Sequence, residues 1–143
     1  MRFMVMVKSN EQSEDGEPPS SELLEAMARY NEELVKAGVL LDANGLTPSA
    51  DGAIVQFIDG EPTVIDGPFT EAKELVAGYW IFDVKSLDEA VEWVKRVPSM
   101  PDDEDSEIEI RQVYEGEDFG EAYTGEVREL HERVARTIAE RQS

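Results

Sequence analysis

The sequence contains no cysteine and a single histidine, and these two shortages exclude several kinds of chemistry. Without cysteine there is no disulfide, no thiolate nucleophile and no thiolate-bound zinc. The acidic run at residues 102–105 lacks the central glycine and distal glutamate of a calcium-binding loop, so we expect no metal site there. Phosphate loops, dinucleotide fingerprints and Gly-x-Ser-x-Gly elbows are also missing from the sequence, and we expect no cofactor.

Basic residues are scarce. Thirteen lysines and arginines stand against 33 aspartates and glutamates, for a formal net charge of -20 at pH 7. This charge disfavours binding to nucleic acids and to anionic membrane surfaces. It suits high salt, where self-repulsion is screened, although acidic loops and an acidic tail would give a mesophilic protein the same excess.

Long hydrophobic runs are missing as well. No apolar stretch approaches the roughly 20 residues that a membrane-spanning helix needs. The run at residues 3–7 is too short for the core of a signal peptide, and no small-residue cleavage site follows it. We therefore expect a cytoplasmic protein that binds no membrane. Its 143 residues, 41% of them hydrophobic, are enough for one packed domain.

Two stretches, residues 3–7 and 78–84, are apolar without alternation, which indicates central strands covered on both faces. In a third strand, predicted at 107–113, apolar residues alternate with charged ones, so we expect one of its faces to be exposed to solvent. Two helices cover only one face of such a sheet. A homodimer packed sheet face to sheet face is the simplest cover for the second face, and a C-terminal helix is the alternative.

The remaining elements follow from local signals. An acidic segment at residues 10–19 predicts a loop, and Ser20 or Ser21 caps the first helix after it. A short apolar segment at 39–41 leads into a second loop, and Thr124 caps a last helix. Asp59-Gly60 predicts a hairpin between strands at 53–58 and 63–65. Ser86 and Glu89 form a capping box, in which each side chain bonds the other residue's backbone N–H, at the start of a second helix.

The most informative stretch is Asp66-Gly67-Pro68-Phe69 together with the charged residues 70–74. Physically it predicts a turn, because Pro68 restricts Gly67 and the triplet breaks the apolar pattern before it. Residues 66–73, with Gly78-Tyr79-Trp80 and residues 87–90, resemble the DGPF branch of the YCII-related family. The resemblance runs from residue 2 to about 117 and is strongest between 64 and 98.

The resemblance implies an α+β fold, namely a ferredoxin-like dimeric α/β barrel in which β-α-β-β-α-β is supplemented by an extra hairpin strand. It places a YCII-like domain at residues 1–113 and a C-terminal helical extension of the same domain at 114–143. Family members of this kind are often encoded beside alternative sigma factors. Some are thought to use a histidine–aspartate pair with the histidine in the first half of the chain, where this sequence has none.

Four residues are candidates for a site. Asp66 ends a strand beside Pro68, where partial desolvation suits an acid or base, although an Asx-type turn is the interpretation that we favour. Lys73 would hold an anionic group or form a surface ion pair. Tyr30 and Tyr79 would line a pocket, or simply belong to the core.

His131, on or beside the apolar stripe of a last helix, is a helix-packing residue rather than a general base. Two functions are consistent with these observations. One is an enzyme or binding protein for an unknown small molecule, and the other is a non-enzymatic interaction or regulatory module that uses the acidic surface and residues 114–143.

Overall fold

The computed structural model describes residues 1–69, 74–98 and 106–142, apart from the side chains of residues 11 and 12. The chain divides into two compact units, Met1–Gln112 and Val113–Ser143. The strands of the first unit are β1 (Arg2–Lys8), β2 (Leu40–Gly45), β3 (Ala53–Ile58), β4 (Glu61–Asp66), β5 (Val76–Asp83) and β6 (Ile108–Gln112). Its helices are α1 (Glu11–Glu14), α2 (Ser21–Lys36) and α3 (Leu87–Val94).

The principal sheet has four strands in the order β2-β5-β1-β6, and each neighbouring pair is antiparallel. With α2 after β1 and α3 after β5, this is the β-α-β-β-α-β connection of a ferredoxin-like α+β fold. The two central strands are the two stretches without hydrophobic alternation. The prediction of the central strands is therefore confirmed.

The second core strand differs from the prediction. β2 includes Asn44 and Gly45, which the sequence indicates as a loop, and pairs them with Tyr79 and Gly78 of β5. Pairing along a central strand thus overrides the turn preference of Asn-Gly. β3 and β4 form a separate two-stranded sheet rather than adding one strand to the core. Their turn lies at Asp59 and Gly60, as predicted.

One face of the four-stranded sheet carries the hydrophobic core. Strand side chains from alternate positions pack against residues of α2 and α3, and the members are 0–6% exposed. The largest fully buried side chains are Phe3, Phe82, Leu34 and Val5. At about 25 cal/mol per Å² of buried apolar surface, such residues supply most of the stabilisation of a small domain.

Serine caps begin both long helices of this unit. The Ser20 hydroxyl accepts the Leu23 N–H at 3.1 Å, and the Ser86 hydroxyl accepts the Glu89 N–H at 3.1 Å. The predicted capping box is wrong in one detail, because the Glu89 carboxylate accepts the N–H of Lys85 at 2.8 Å instead of that of Ser86. The acidic segment before Ser20, predicted as a loop, contains the single turn of α1.

The second unit consists of a 3-10 segment, Gly116–Ala122, and the helix α4 (Gly125–Gln142). Gly120 interrupts the 3-10 segment with a φ of 62°. Thr124 caps α4, as predicted, by accepting the Val127 N–H at 3.3 Å. Three apolar side chains on one side of α4 are 50–51% exposed: Leu130, Val134 and Ile138.

A search of the described residues for a helix both long and apolar enough to cross a bilayer finds none.

Candidate functional site

A pocket of about 430 Å³ opens between α2 and the helix-facing side of the principal sheet. This volume lies in the range of small-molecule sites, roughly 300–1,000 Å³. The described side chains that line it are mostly apolar, and none of these carries a charge. They are Val7, Pro19, Leu23, Leu24, Met27, Asn31, Ala43, Asn44, Gly45, Ala77, Gly78, Tyr79 and Trp80.

The pocket exists because the strands bear almost no side chains beneath this part of α2. Gly45 and Gly78 are directly paired across β2 and β5, and Ala43 is the next helix-facing residue along β2. A methyl group added to Gly78 would lie 3.0 Å from the Asn44 carbonyl oxygen, so the strands are tightly apposed there. A methyl group on Gly45 would meet no heavy atom within 4 Å, because it would extend into open space.

The indole of Trp80 and the amide of Asn31 are joined at the wall of the pocket. The Trp80 Nε1–H donates to Asn31 Oδ1 at 2.7 Å. Trp80 is 6% exposed and meets the Tyr30 ring edge-on, with centroids 5.8 Å apart. The side chain of Asn31 is thereby held by a rigid, buried partner.

Tyr79 lines the pocket, but its hydroxyl group lies on the other face of the sheet. It donates to Asp42 Oδ2 at 3.3 Å and accepts the Asn44 amide at 3.0 Å. The Asn44 amide also donates to Asp42 Oδ1 at 3.2 Å. Asn44 and Tyr79 therefore turn their polar ends away from the pocket.

Tyr30 lies in the hydrophobic core and is 4% exposed. Its hydroxyl donates to the backbone carbonyl of Trp93 at 2.7 Å, which links α2 to α3. Burial raises the pKa of Tyr30 from 10.0 to about 12. Tyr30 supports the Trp80 side of the pocket but does not line it.

Asp66 is exposed at the end of β4, paired with Ala53, and does not line the pocket. The following Gly67 N–H donates to the Gly52 carbonyl at 3.1 Å, and the Gly67–Pro68 peptide bond is cis. A Cβ on Gly67 would lie only 1.6 Å from the Ser49 carbonyl oxygen. The glycine is therefore required by close approach of two backbones, and not by a positive φ.

The turn that contains Gly67 is held by a small polar network. The Phe69 N–H donates to the Ser49 hydroxyl at 2.9 Å, and that hydroxyl donates to the Glu14 carboxylate. Glu14 also accepts the Ser49 N–H at 3.0 Å. One carboxylate thus joins α1, the 3-10 turn Ser49–Asp51 and the turn predicted at Asp66-Gly67-Pro68-Phe69.

The other candidates lie elsewhere. Lys73 is outside the described residues. His131 belongs to the second unit, where its ring lies 5.3 Å from the Tyr123 ring. In the described parts of the chain, no group of three or more potential metal ligands is found. The structure thus leaves Tyr30, Asp66 and Tyr79 at three different places, although Tyr30 and Tyr79 flank Trp80.

Sequence reasoning did not single out Asn31, Glu14 or Ser49. A signal for Asn31 does exist, because it lies four residues after Met27 within the apolar stripe of α2. A polar residue at such a position needs a partner, and a buried tryptophan needs an acceptor. Glu14 and Ser49 are 35 residues apart, and neither has a local signal for their contact.

The face opposite the pocket is also distinctive. Four half-buried side chains form its centre, paired Met4 with Ile81 and Met6 with Tyr79. Neither α2 nor α3 covers this surface, which we call the open face. The charged side chains at its paired strand positions are Arg2, Lys8, Arg111, Asp42, Asp83 and Glu109, and Glu107 follows opposite Lys8. Among the described residues, the open face is thus close to neutral on a chain whose net charge is -20.

These features define a ferredoxin-like α+β protein with a ligand-sized pocket on one face of its sheet. The YCII-related domain family matches residues 1–117, and the chain belongs to this family. The chain is also similar to a protein from Rhizobium meliloti (strain 1021) named "Uncharacterized protein R00369", with 39% identity over 61 residues. The match covers 43% of this chain and 49% of the relative. The chain thus spans about half the length of the curated relative that it matches.

Proposed function

We propose that the protein binds a small, mainly apolar molecule in the pocket between α2 and the sheet. The observation that carries the proposal is the uncharged pocket of about 430 Å³. Charged residues make up 32% of the chain, yet none is found among the described residues that line this surface. Small-molecule sites typically combine such an apolar lining with a few placed polar groups.

Binding is better supported than catalysis. Tyr79 is the only titratable residue among the described residues that line the pocket, and its hydroxyl bonds Asp42 and Asn44 on the open face. General acid–base catalysis needs a titratable group within hydrogen-bond reach of the reacting atom. A catalytic role for Asp66 and a ligand-binding role for Lys73 stay predictions from the sequence.

Substitution of Gly45 tests the pocket. Gly45→Leu adds a side chain where a Cβ meets nothing within 4 Å, so it occupies the pocket without a backbone clash. A thermal-shift screen of small apolar compounds would supply ligands, and calorimetry would compare the variants. We expect Gly45→Leu to weaken binding at least about tenfold, which is about 1.4 kcal/mol.

The matched control is Gly125→Leu, at the start of α4, where an added Cβ also meets nothing within 4 Å. Both variants add the same side chain at an open glycine, and we expect the control to bind like the unmodified protein. Ligands whose affinity is unchanged by Gly45→Leu would place their site elsewhere and contradict the proposal.

We further propose that the protein forms a homodimer through its open faces, which gives a dimeric α/β barrel. Four half-buried apolar or aromatic residues stand at the centre of this face, without cover from α2 or α3. Their surroundings are close to neutral, which supports self-association, because the charge that repels two copies elsewhere is nearly balanced here. Closed symmetric dimers are the commonest assemblies of soluble proteins.

Sedimentation at micromolar concentration in physiological salt tests this assembly. Met6→Lys places an unpaired charge at the centre of the open face, and we expect it to raise the dissociation constant at least about tenfold. Val35→Lys is the control, because Val35 is 61% exposed on α2 and lies outside that face. A monomeric unmodified protein would contradict the proposal.

An interaction module is the second candidate function. The exposed stripe of Leu130, Val134 and Ile138 on α4 favours it, because helices seldom leave such a stripe without a partner. A photo-crosslinking amino acid at position 134 in cells should give one discrete adduct, while the same group at 136, on the opposite side of α4, should give none. Equal labelling at both positions would exclude the stripe as a binding surface.

A further inference from the structure

The hydrogen-bond partners of the polar side chains that line the pocket restrict the chemistry of its ligand. The lining contains four side chains with polar atoms: Asn31, Asn44, Tyr79 and Trp80. The amide of Asn44 and the hydroxyl of Tyr79 bond each other and Asp42 on the open face. The Trp80 Nε1–H is used by Asn31. Among the side chains that the structure describes in this lining, the Asn31 amide alone is left to face a ligand.

The orientation of that amide follows from its partner. An indole N–H is a donor and never an acceptor, so the atom 2.7 Å from Trp80 Nε1 is the Asn31 oxygen. The Asn31 Nδ2 group is left with two donors and has no partner among the residues that the structure describes. Over the same residues, no buried side-chain nitrogen or oxygen lacks a partner. The Nδ2 group is therefore accessible rather than sealed in the core.

From these contacts we infer that the pocket selects uncharged apolar molecules that carry a hydrogen-bond acceptor, such as a ketone or ester oxygen, placed against Asn31 Nδ2. This inference rests on the proposed function of the pocket. A carboxylate or phosphate ligand is disfavoured, because the described lining offers no cation and burial of an unpaired charge is costly. An ammonium ligand is disfavoured because the same residues offer no carboxylate. A hydrocarbon fits the lining but leaves the donors of Nδ2 unpaired once water is displaced.

Three probes of nearly equal size test the inference on the full chain: 2-acetylnaphthalene, 2-ethylnaphthalene and 2-naphthoate. They place a neutral acceptor, no acceptor and a charged acceptor on the same ring system. We expect the ketone to bind about three- to tenfold more tightly than the hydrocarbon, as one hydrogen bond allows, and the carboxylate to bind most weakly. Fluorescence titration or calorimetry would measure the three dissociation constants.

Asn31→Asp is the informative variant, because a carboxylate still accepts the Trp80 N–H but has no N–H to donate. We expect the ratio of ketone to hydrocarbon affinity to fall to one or below. A ratio near one in the unmodified protein, or a ratio retained in Asn31→Asp, would overturn the inference while leaving the pocket itself intact. Failure of all three probes to bind would instead overturn the proposed function, and the inference with it.

Asn31→Leu provides a second check in case Asn31→Asp folds poorly. Its side chain has a similar size, and it removes both the acceptor for Trp80 and the donors toward the pocket. We expect the hydrocarbon to bind at least as well as before and the ketone to lose its advantage. A ketone that keeps its advantage in Asn31→Leu would show that another group contacts the oxygen, against the inference.

Discussion

The two faces of the principal sheet are formed by the same four strands but differ in how deeply their side chains are buried. On the helix-facing side, Phe3, Val5 and Phe82 are 0–2% exposed beneath α2 and α3. On the open face, Met4 and Ile81 remain half-buried, although they alternate with these residues along the same strands. An unbroken apolar strand therefore indicates two apolar surfaces, of which α2 and α3 cover one.

The two faces also differ in shape. On the covered face, a pocket opens where Gly45 and Gly78 supply no side chain and α2 bridges the gap. The centre of the open face is instead filled by long, half-buried side chains. The covered face thus offers a pocket of small-molecule size, whereas the open face offers a partly apolar surface.

The largest expected effect is on stability, and it differs between neighbouring residues of β5 that lie on opposite faces of the sheet. Phe82→Ala removes a fully buried ring, and we expect it to lower the free energy of unfolding by about 3–5 kcal/mol. Ile81→Ala, the adjacent position on the open face, should cost only about 1–2 kcal/mol in dilute protein, because Ile81 is half-buried. Urea unfolding would measure both. Equal losses would mean that the open face is as well covered as the core.

An intermediate effect concerns Tyr30, which joins α2 to α3 on the covered face. Tyr30→Phe leaves the Trp93 carbonyl without its 2.7 Å hydrogen bond, and we expect a loss of about 1–2 kcal/mol at pH 7. Urea unfolding of the two proteins side by side gives this value. No loss would show that water replaces the hydroxyl group.

The same residue predicts a pH dependence. The pKa of Tyr30 is raised by burial to about 12, so the folded state favours the neutral phenol. The unfolded chain loses its proton near pH 10, so stability is full below pH 10 and falls as the pH rises toward 12. At about 1.4 kcal/mol per pKa unit, the loss is on the order of 2–3 kcal/mol. Tyr30→Phe should remove this component, and an identical alkaline loss in both proteins would exclude Tyr30 as its source.

The smallest effect lies on the open face. The Lys8 ammonium is 3.1 Å from the Glu109 carboxylate, and both side chains are partly exposed. Lys8→Gln should lower the stability of dilute protein by less than about 1 kcal/mol, and added salt should shrink the difference. A loss above 2 kcal/mol, seen by urea unfolding at low protein concentration, would mean that this pair is shielded from solvent.

Much of the fold could be predicted because its signals are local. The unbroken apolar stretches indicated the two central strands, and Ser20 and Thr124 capped helices where expected. The status of β2 could not be predicted, because Asn44-Gly45 has turn chemistry that only pairing with β5 overrides. Nor could the separation of β3 and β4 into their own sheet, since a hairpin signal does not say what the hairpin joins.

The candidate site was less accessible to sequence reasoning. Tyr30 and Tyr79 were predicted either to line a pocket or to belong to the core, and their hydroxyl groups are used in the core and on the open face. The pocket depends on the small residues Gly45 and Gly78, and a hydrophobic pattern in the sequence does not indicate where such residues leave a cavity. Asn31 matters through one contact with Trp80, which lies 49 residues away in the sequence.

The close approach of Gly67 to Ser49 has a consequence for sequence variation. With a Cβ only 1.6 Å from a carbonyl oxygen of another segment, no side chain fits at position 67 while residues 49–50 keep their path. The two segments should therefore change together in related proteins. Where a relative replaces this glycine, we expect an insertion, a deletion or a different turn at the position of Ser49. The residue at position 67 is thus determined by the path of residues 49–50, which lie outside the Asp66-Gly67-Pro68-Phe69 turn.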